Sequence, residues 1–317
     1  MPEELEPQFR NDSFLFDDLI QPFNLKAGRQ EGPALSGRFT KLGNLTNEVI
    51  GKHKYPGPVS KLVSESLALG ATLAGALKFD GVFTFQIQGD GPVSLVVVDI
   101  STKDEGNSFQ LRSYAQYQSE GIVNPDLNSA RDLLGKGYMA LTVDQGSNTE
   151  RYQGLVELVG DSLDEFTQHY FKQSQQMDAA IMLCSGMDKV SGGWRASCIM
   201  LQRVAEENHE KLSSNDTDDP WRRNMILMAT GTTNEMLDPD LSPKRYLYRL
   251  FHEEGLRVMS PRLLRSGCRC NKDRLVRMLR QLPKDELLEL SDNGMIEVTC
   301  EFCSEVYLYN PISLEVS

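Results

Sequence analysis

Four of the six cysteines in this 317-residue chain lie near its C-terminus, as Cys268-Arg269-Cys270 and, 29 residues later, Cys300-Glu301-Phe302-Cys303. Two close pairs of thiols joined by a short module can converge tetrahedrally on one ion. Sulfur ligands in that geometry suit zinc, which does not itself change oxidation state. The spacing predicts one zinc ion held by Cys268, Cys270, Cys300 and Cys303. Such an ion also keeps the sulfurs as thiolates, the form that attacks an oxidant. A purely structural staple and a redox centre are both consistent with the spacing.

The first pair has one intervening residue, where zinc knuckles use roughly two to four. One residue sets the α-carbons at most about 7 Å apart in an extended chain, and a disulfide needs about 4.4–6.8 Å. Cys268 and Cys270 can therefore oxidise together only on a bent backbone, and strain makes such a bond easily reduced. Cys300 and Cys303 can close without that difficulty. Arg265, Arg269, Lys272 and Arg274 lie nearby in sequence and would soften the charge of four thiolates around one dication.

Secondary structure must carry both pairs. Asn271 is placed to cap a helix through Leu282, with Leu275, Met278, Leu279 and Leu282 apolar. Pro283 opens a second helix through Leu290. Asp292-Asn293-Gly294 turns into a strand from Met295 to Thr299, and the second pair sits in a knuckle leading to Val306–Tyr309. So small a module has too few core residues to fold well alone. Zinc is worth roughly 10–16 kcal/mol to zinc-finger peptides, so metal loss should unfold it.

The rest of the chain reads as a larger body. Residues 1–35 show no clear period: Ser13 to Leu25 mixes apolar and acidic residues, and Lys26 to Gly32 is polar. Arg38–Leu42 reads as a strand and Asn44–Lys54 as a helix stopped at Tyr55-Pro56-Gly57-Pro58. Val59–Leu77 reads as a helix, with Leu62, Leu67, Leu69, Leu73 and Leu77 available to a buried face. Val82–Gln88 alternates as a half-buried strand does, and Val93–Ile100 is apolar enough to be covered on both faces. Further strands are expected at 108–117, 137–144 and 151–159, a helix at Asp161–Lys172, and strands at Ala179–Cys184 and Trp194–Val204.

Ala205 to Asp219 is almost wholly polar or charged and cannot bury enough surface to fold alone. Pro220 and Pro243 then mark helix starts, the second carrying Tyr246, Leu247, Leu250 and Phe251. The expected fold class is α+β: a mixed-sheet core domain with packed helices at 1–204, a helical linker of low stability at 205–255, and a small C-terminal zinc-binding domain at 256–317. Met225-Ile226-Leu227-Met228 is an apolar island in the linker. Methionine packs flexibly, so the island suits an adaptable apolar contact. Docking on the core is its resting role, and both hold if docking masks the surface.

Composition narrows the function. The net charge is −12, and of 33 basic and 45 acidic residues nine of each lie in 257–317, so the excess acid is in the body. Such a body disfavours phosphate backbones. No run of roughly 18 apolar residues marks a membrane helix, and the acidic start Met1-Pro2-Glu3-Glu4 is unlike a secretory signal. A cytoplasmic location is expected, where clustered cysteines are metal ligands or redox groups rather than structural disulfides. Cys184 and Cys198 sit in apolar, strand-like segments and read as core residues. The four histidines are scattered, and no catalytic serine or cysteine motif stands out.

With these pairs in this order, the sequence resembles the heat-shock protein 33 family of redox-regulated chaperones. Matching stretches include Leu77-Lys78-Phe79-Asp80-Gly81, Gln88-Gly89-Asp90-Gly91-Pro92, Glu150-Arg151-Tyr152-Gln153-Gly154 and Leu250-Phe251-His252-Glu253-Glu254. The resemblance runs from about Arg38 onward and is weakest in 1–35 and 205–240. It implies a non-enzymatic, ATP-independent holdase that is inactive while reduced and zinc-bound. Peroxide with mild heat, or hypochlorous acid, would form the neighbouring disulfides Cys268–Cys270 and Cys300–Cys303 and expel zinc. The switch domain and linker would then unfold and hold unfolding client proteins. The resemblance also implies a homodimer when oxidised, and transfer of clients to ATP-dependent foldases after reduction. Neither nucleic acid nor membrane is an expected partner. Two other readings compete: a nucleic-acid binder with a zinc ribbon, supported by the arginines of 257–280, and a thiol oxidoreductase using Cys300 and Cys303.

Overall fold

A computed structural model describes residues 17–26, 33–103, 108–123, 129–145, 152–204 and 220–311. The chain divides into two compact units, Met1–Ser266 and Gly267–Ser317. The polar segment 205–219 and the expected loop at 27–32 lie outside the described residues.

The first unit is built on one mixed sheet. Its elements begin with β1 (Leu19–Lys26), β2 (Pro33–Leu42), α1 (Asn44–Ile50), α2 (Gly57–Ala76), β3 (Val82–Gly89), β4 (Val93–Lys103) and β5 (Ser108–Tyr117). They continue through α3 (Ala130–Leu134), β6 (Gly137–Asp144), β7 (Tyr152–Glu157), α4 (Leu163–Tyr170), β8 (Ala179–Met187) and β9 (Trp194–Arg203). Helices α5 (Pro220–Ala229), α6 (Thr233–Leu237) and α7 (Pro243–Phe251) follow, then β10 (Arg257–Val258) and β11 (Arg262–Ser266). The strand order is β7-β6-β3-β4-β5-β11-β1-β2-β9-β8, with β10 also pairing β1. Among the described strands only the β11–β5 pairing is parallel.

Side chains of a strand alternate between faces, and here each face has its own core. On one face, α2 lies against Ile20, Leu42, Val98, Ile100, Cys198 and Met200. Its apolar positions surround the helix, from Val59 and Leu62 to Leu73 and Ala74, so it is buried on nearly all sides. Leu77, expected on that buried face, falls past the helix end and is exposed. On the other face, Phe23, Leu25, Leu35, Phe39, Ile199 and Leu201 meet Met228 of α5, Met236 of α6, and Tyr246, Leu247, Leu250 and Phe251 of α7. The Phe23 ring packs across the ladder onto Gly37, where a Cβ would sit 2.2 Å from it. The Leu250-Phe251 pair is therefore the buried edge of α7.

Two parts of the sheet are hidden in the sequence. Strand β1 contains Pro22, which argues against a central strand. The Pro22 carbonyl accepts from Met259 N, so the missing N–H points to the same side. There the neighbouring strand is broken: β11 pairs Leu19 and Ile20, and β10 pairs Phe23 and Asn24. No ladder bond is lost. Residues 257–266, expected in the C-terminal module, supply β10 and β11 to this sheet instead. Their arginines obscure the alternation that Leu264, buried in the α2-side core, follows.

Candidate metal centre

The second unit contains α8 (Lys272–Leu279), α9 (Lys284–Glu289) and the hairpin β12 (Ile296–Thr299)–β13 (Val306–Tyr309). Asn271 caps α8 as expected, its Oδ1 accepting from Asp273 N at 2.8 Å and from Arg274 N. Asn293 and Gly294 turn the chain at positive φ, 52° and 79°. The core is small: Leu279, Leu287 and Ile296, flanked by Val276, Leu282, Val298 and Tyr309.

The hairpin places the second cysteine pair. Thr299 pairs with Val306, and just beyond them Cys300 N donates to Glu305 O at 2.9 Å. Ser304, at φ 57°, donates its N–H back to Cys300 O at 2.8 Å. The loop is thus wound so that Cys300 and Cys303 face the same side. The first pair immediately precedes the capped end of α8. All four Sγ atoms lie within 4.8 Å of one another. Cys268 Sγ is 3.6 Å from Cys300 Sγ, and Cys270 Sγ is 3.6 Å from Cys303 Sγ. A tetrahedral ion with sulfur at about 2.3 Å separates its ligands by roughly 3.8 Å. The donor set fits that geometry, and no cysteine of the chain is in a disulfide.

Burial pushes the thiol pKa of Cys303 up, and Cys300, Cys268 and Cys270 push it further. Burial likewise raises Cys300. Four neutral thiols have no reason to gather, whereas a central cation favours the thiolates and reverses these shifts. Sequence reasoning missed one participant. The phenol of Tyr307 donates to Cys270 Sγ at 3.0 Å, and its ring lies 5.8 Å from Lys272 Nζ. A hydrogen bond to a ligating sulfur tunes the site's basicity and redox behaviour. The only signal for it in the sequence is the register of β13, which turns Tyr307 inward.

A family model described as Hsp33 protein matches residues 27–310. The chain belongs to the Hsp33 family. Its relatives include the 33 kDa chaperonin of Caulobacter vibrioides, 35% identical over 310 residues, covering 95% of this chain and 97% of that protein. The 33 kDa chaperonin of Escherichia coli is 32% identical over 285 residues, covering 90% of this chain and 91% of the relative. Among solved structures, an Hsp33 homologue from Thermotoga maritima, also titled 33 kDa chaperonin, superposes with a TM-score of 0.76. It is 20% identical, the match covers 94% of this chain and 97% of that one, and the likeness is one of fold.

In this Hsp33-family chain the four cysteines form the sole such cluster among the described residues. Cys184 and Cys198 stay in the cores, where burial pushes both thiols up to about 12. Of the nearby cations, Arg265 falls on β11 of the first unit, while Arg269 and Lys272 belong to the second. The apolar island splits: Met225 and Ile226 are exposed, Leu227 is partly buried, and Met228, on the inner side of α5, is buried in the core beneath it. Among the described residues no helix is long and apolar enough to cross a membrane.

Proposed function

We propose that the protein is a redox-regulated, ATP-independent holdase chaperone with no enzymatic turnover. One observation carries the reading: four sulfurs spaced for a single ion sit in a unit whose apolar cluster, among the described residues, is built on only Leu279, Leu287 and Ile296. Zinc held by Cys268, Cys270, Cys300 and Cys303 would supply the unit's missing stability. Oxidation forms Cys268–Cys270 and Cys300–Cys303. In each pair two thiolates give up two electrons as the S–S bond forms; with two protons from solvent these reduce one hydrogen peroxide to two waters, and the ligand set is destroyed. The unit then loses its fold.

The linker helices are the second moving part. Helices α5 to α7, residues 220–251, bury Met228, Met236, Tyr246, Leu247, Leu250 and Phe251 against the sheet. Their release uncovers apolar surface that holds unfolding proteins, with Met225 to Met228 among the contacting residues. The oxidised form is a homodimer in the cytoplasm, and its clients pass to ATP-dependent foldases after reduction. Nucleic acids and membranes are not partners.

The test follows zinc release, free thiols and suppression of client aggregation together as peroxide is added to the purified reduced protein. The three should move in step, and suppression should scale with protein concentration. Zinc loss and thiol loss without any gain in suppression would defeat the reading. Catalytic turnover of a disulfide substrate would replace it with an oxidoreductase.

A further inference from the structure

The sheet holds the linker by its main chain as well as by apolar packing. Ser197 and Lys41 are opposite each other in the β9–β2 register, and Arg195 is two residues along β9, so all three project from one face. All are buried, at 0%, 1% and 8% exposure. Each donates to a backbone carbonyl in the last turn of α6 or in the segment that follows it. Ser197 Oγ donates to Met236 O at 2.7 Å, and Arg195 Nε to Leu237 O at 2.7 Å. Lys41 Nζ donates to Asp238 O and, at 2.7 Å, to Leu241 O. Asp17 steadies the row, accepting from Arg195 Nη2 and lying 3.7 Å from Lys41 Nζ. Beside the row, on the same face, stand Phe39 and Ile199.

These donors read no side chain. A carbonyl is present in every residue, and an unfolding polypeptide carries many that have lost their partners. When the linker lifts, three fixed donors are left beside an apolar floor, the combination by which proteins bind extended chains without regard to sequence. We propose that Lys41, Arg195 and Ser197 form a client-binding site on the core that captures the main-chain carbonyls of unfolded polypeptides, the linker segment 236–241 being its resting occupant. The site rests on the holdase reading above and is distinct from the Met225–Met228 island. It accounts for broad client choice by a route that apolar packing alone does not supply: the polar main chain of the client is satisfied rather than buried bare.

The experiment uses full-length oxidised protein and, as probe, a fluorescent, reduced and carboxymethylated polypeptide that stays unfolded. Linker release is scored separately by protease cleavage within 220–255. Lys41→Met should release its linker at least as readily as wild type, yet bind the probe roughly tenfold more weakly, as loss of a charge-assisted bond does. Ser197→Ala, a change too small to threaten the fold, should weaken binding about threefold. A synthetic peptide with the sequence of residues 233–242 should compete with the probe, and its ester-backbone version, whose carbonyls are poorer acceptors, should compete less. Unchanged probe affinity in both variants would overturn the site and leave capture to apolar surface alone. A wild-type protein that binds no probe after oxidation would overturn the holdase reading itself.

Discussion

The phenol of Tyr307 and the sulfur of Cys270 are joined by a 3.0 Å hydrogen bond in which the tyrosine donates. It ties β13 to the first cysteine pair across 37 residues of sequence. Groups that orient and polarise a metal ligand in this way commonly change affinity by roughly 10- to 100-fold when removed. Tyr307→Phe should bind zinc about tenfold more weakly and release it faster when peroxide is added. A chelator competition followed by a zinc dye measures both. Wild-type affinity in the variant would make the contact incidental.

Removing the metal should unfold the second unit and spare the first. Burying a large apolar side chain stabilises by about 1.5–3 kcal/mol, and Leu279, Leu287 and Ile296 are the buried core here. Backbone ordering costs about 1–2 kcal/mol per residue, so these side chains cannot hold the unit alone. Hydrogen exchange of reduced, chelator-treated protein should show lost protection over 272–309, with α2 and β2–β6 unchanged. Retained protection there would mean that the unit folds without metal.

Arg223 on α5 grips Glu254, just beyond α7, at 2.8, 3.0 and 2.9 Å, and Asn224 Nδ2 adds a further bond to that buried carboxylate at 3.1 Å. Arg223→Ala leaves the Glu254 carboxylate buried with less compensation. A loss of roughly 1–3 kcal/mol follows from leaving such a buried carboxylate short of a partner, confined to the packing of α5 on α7. The reduced variant should be cut faster by protease in 220–255 and should bind more of an apolar dye. Protease resistance equal to wild type would show that the apolar contacts alone hold α5.

Lys41 gives a dependence on pH. Burial pushes its ammonium down to about 8, with Arg195 pushing the same way and Asp17 and Asp238 opposing. The ordinary value is 10.5. Between the two, the unfolded chain carries the proton and the folded chain does not, so this residue's contribution to stability rises with pH across that window and is lost as pH falls through it. Denaturation midpoints of wild type and Lys41→Met, compared at about pH 7.5 and about pH 9.5, should diverge in favour of wild type at the higher pH. A constant difference would mean that Lys41 keeps its proton throughout.

Much of the fold is legible before any coordinates are seen, because its signals are local. The alternation of Val82–Gln88 and the apolar run of α2 each report a buried face through a short period. Asn271 announces α8 because a cap acts within three residues. What stays hidden depends on remote partners. Pro22 is acceptable in β1 only because the strand beside it breaks opposite the missing N–H. Strands β10 and β11 are too short and too rich in arginine to show a pattern, and their place beside β1 and β5 is decided by pairing over long separations.

For the candidate metal site, the sequence alone picked out Cys268, Cys270, Cys300 and Cys303, the four cysteines whose sulfurs the structure brings together. It could not determine that Tyr307 reaches Cys270, or that Lys41, Arg195 and Ser197 meet the carbonyls of 236–241. A candidate ligand set is written in residue type and spacing. Which donor meets which acceptor depends on the register of strands far apart in the chain, and that is settled only when the sheet and its covering helices pack.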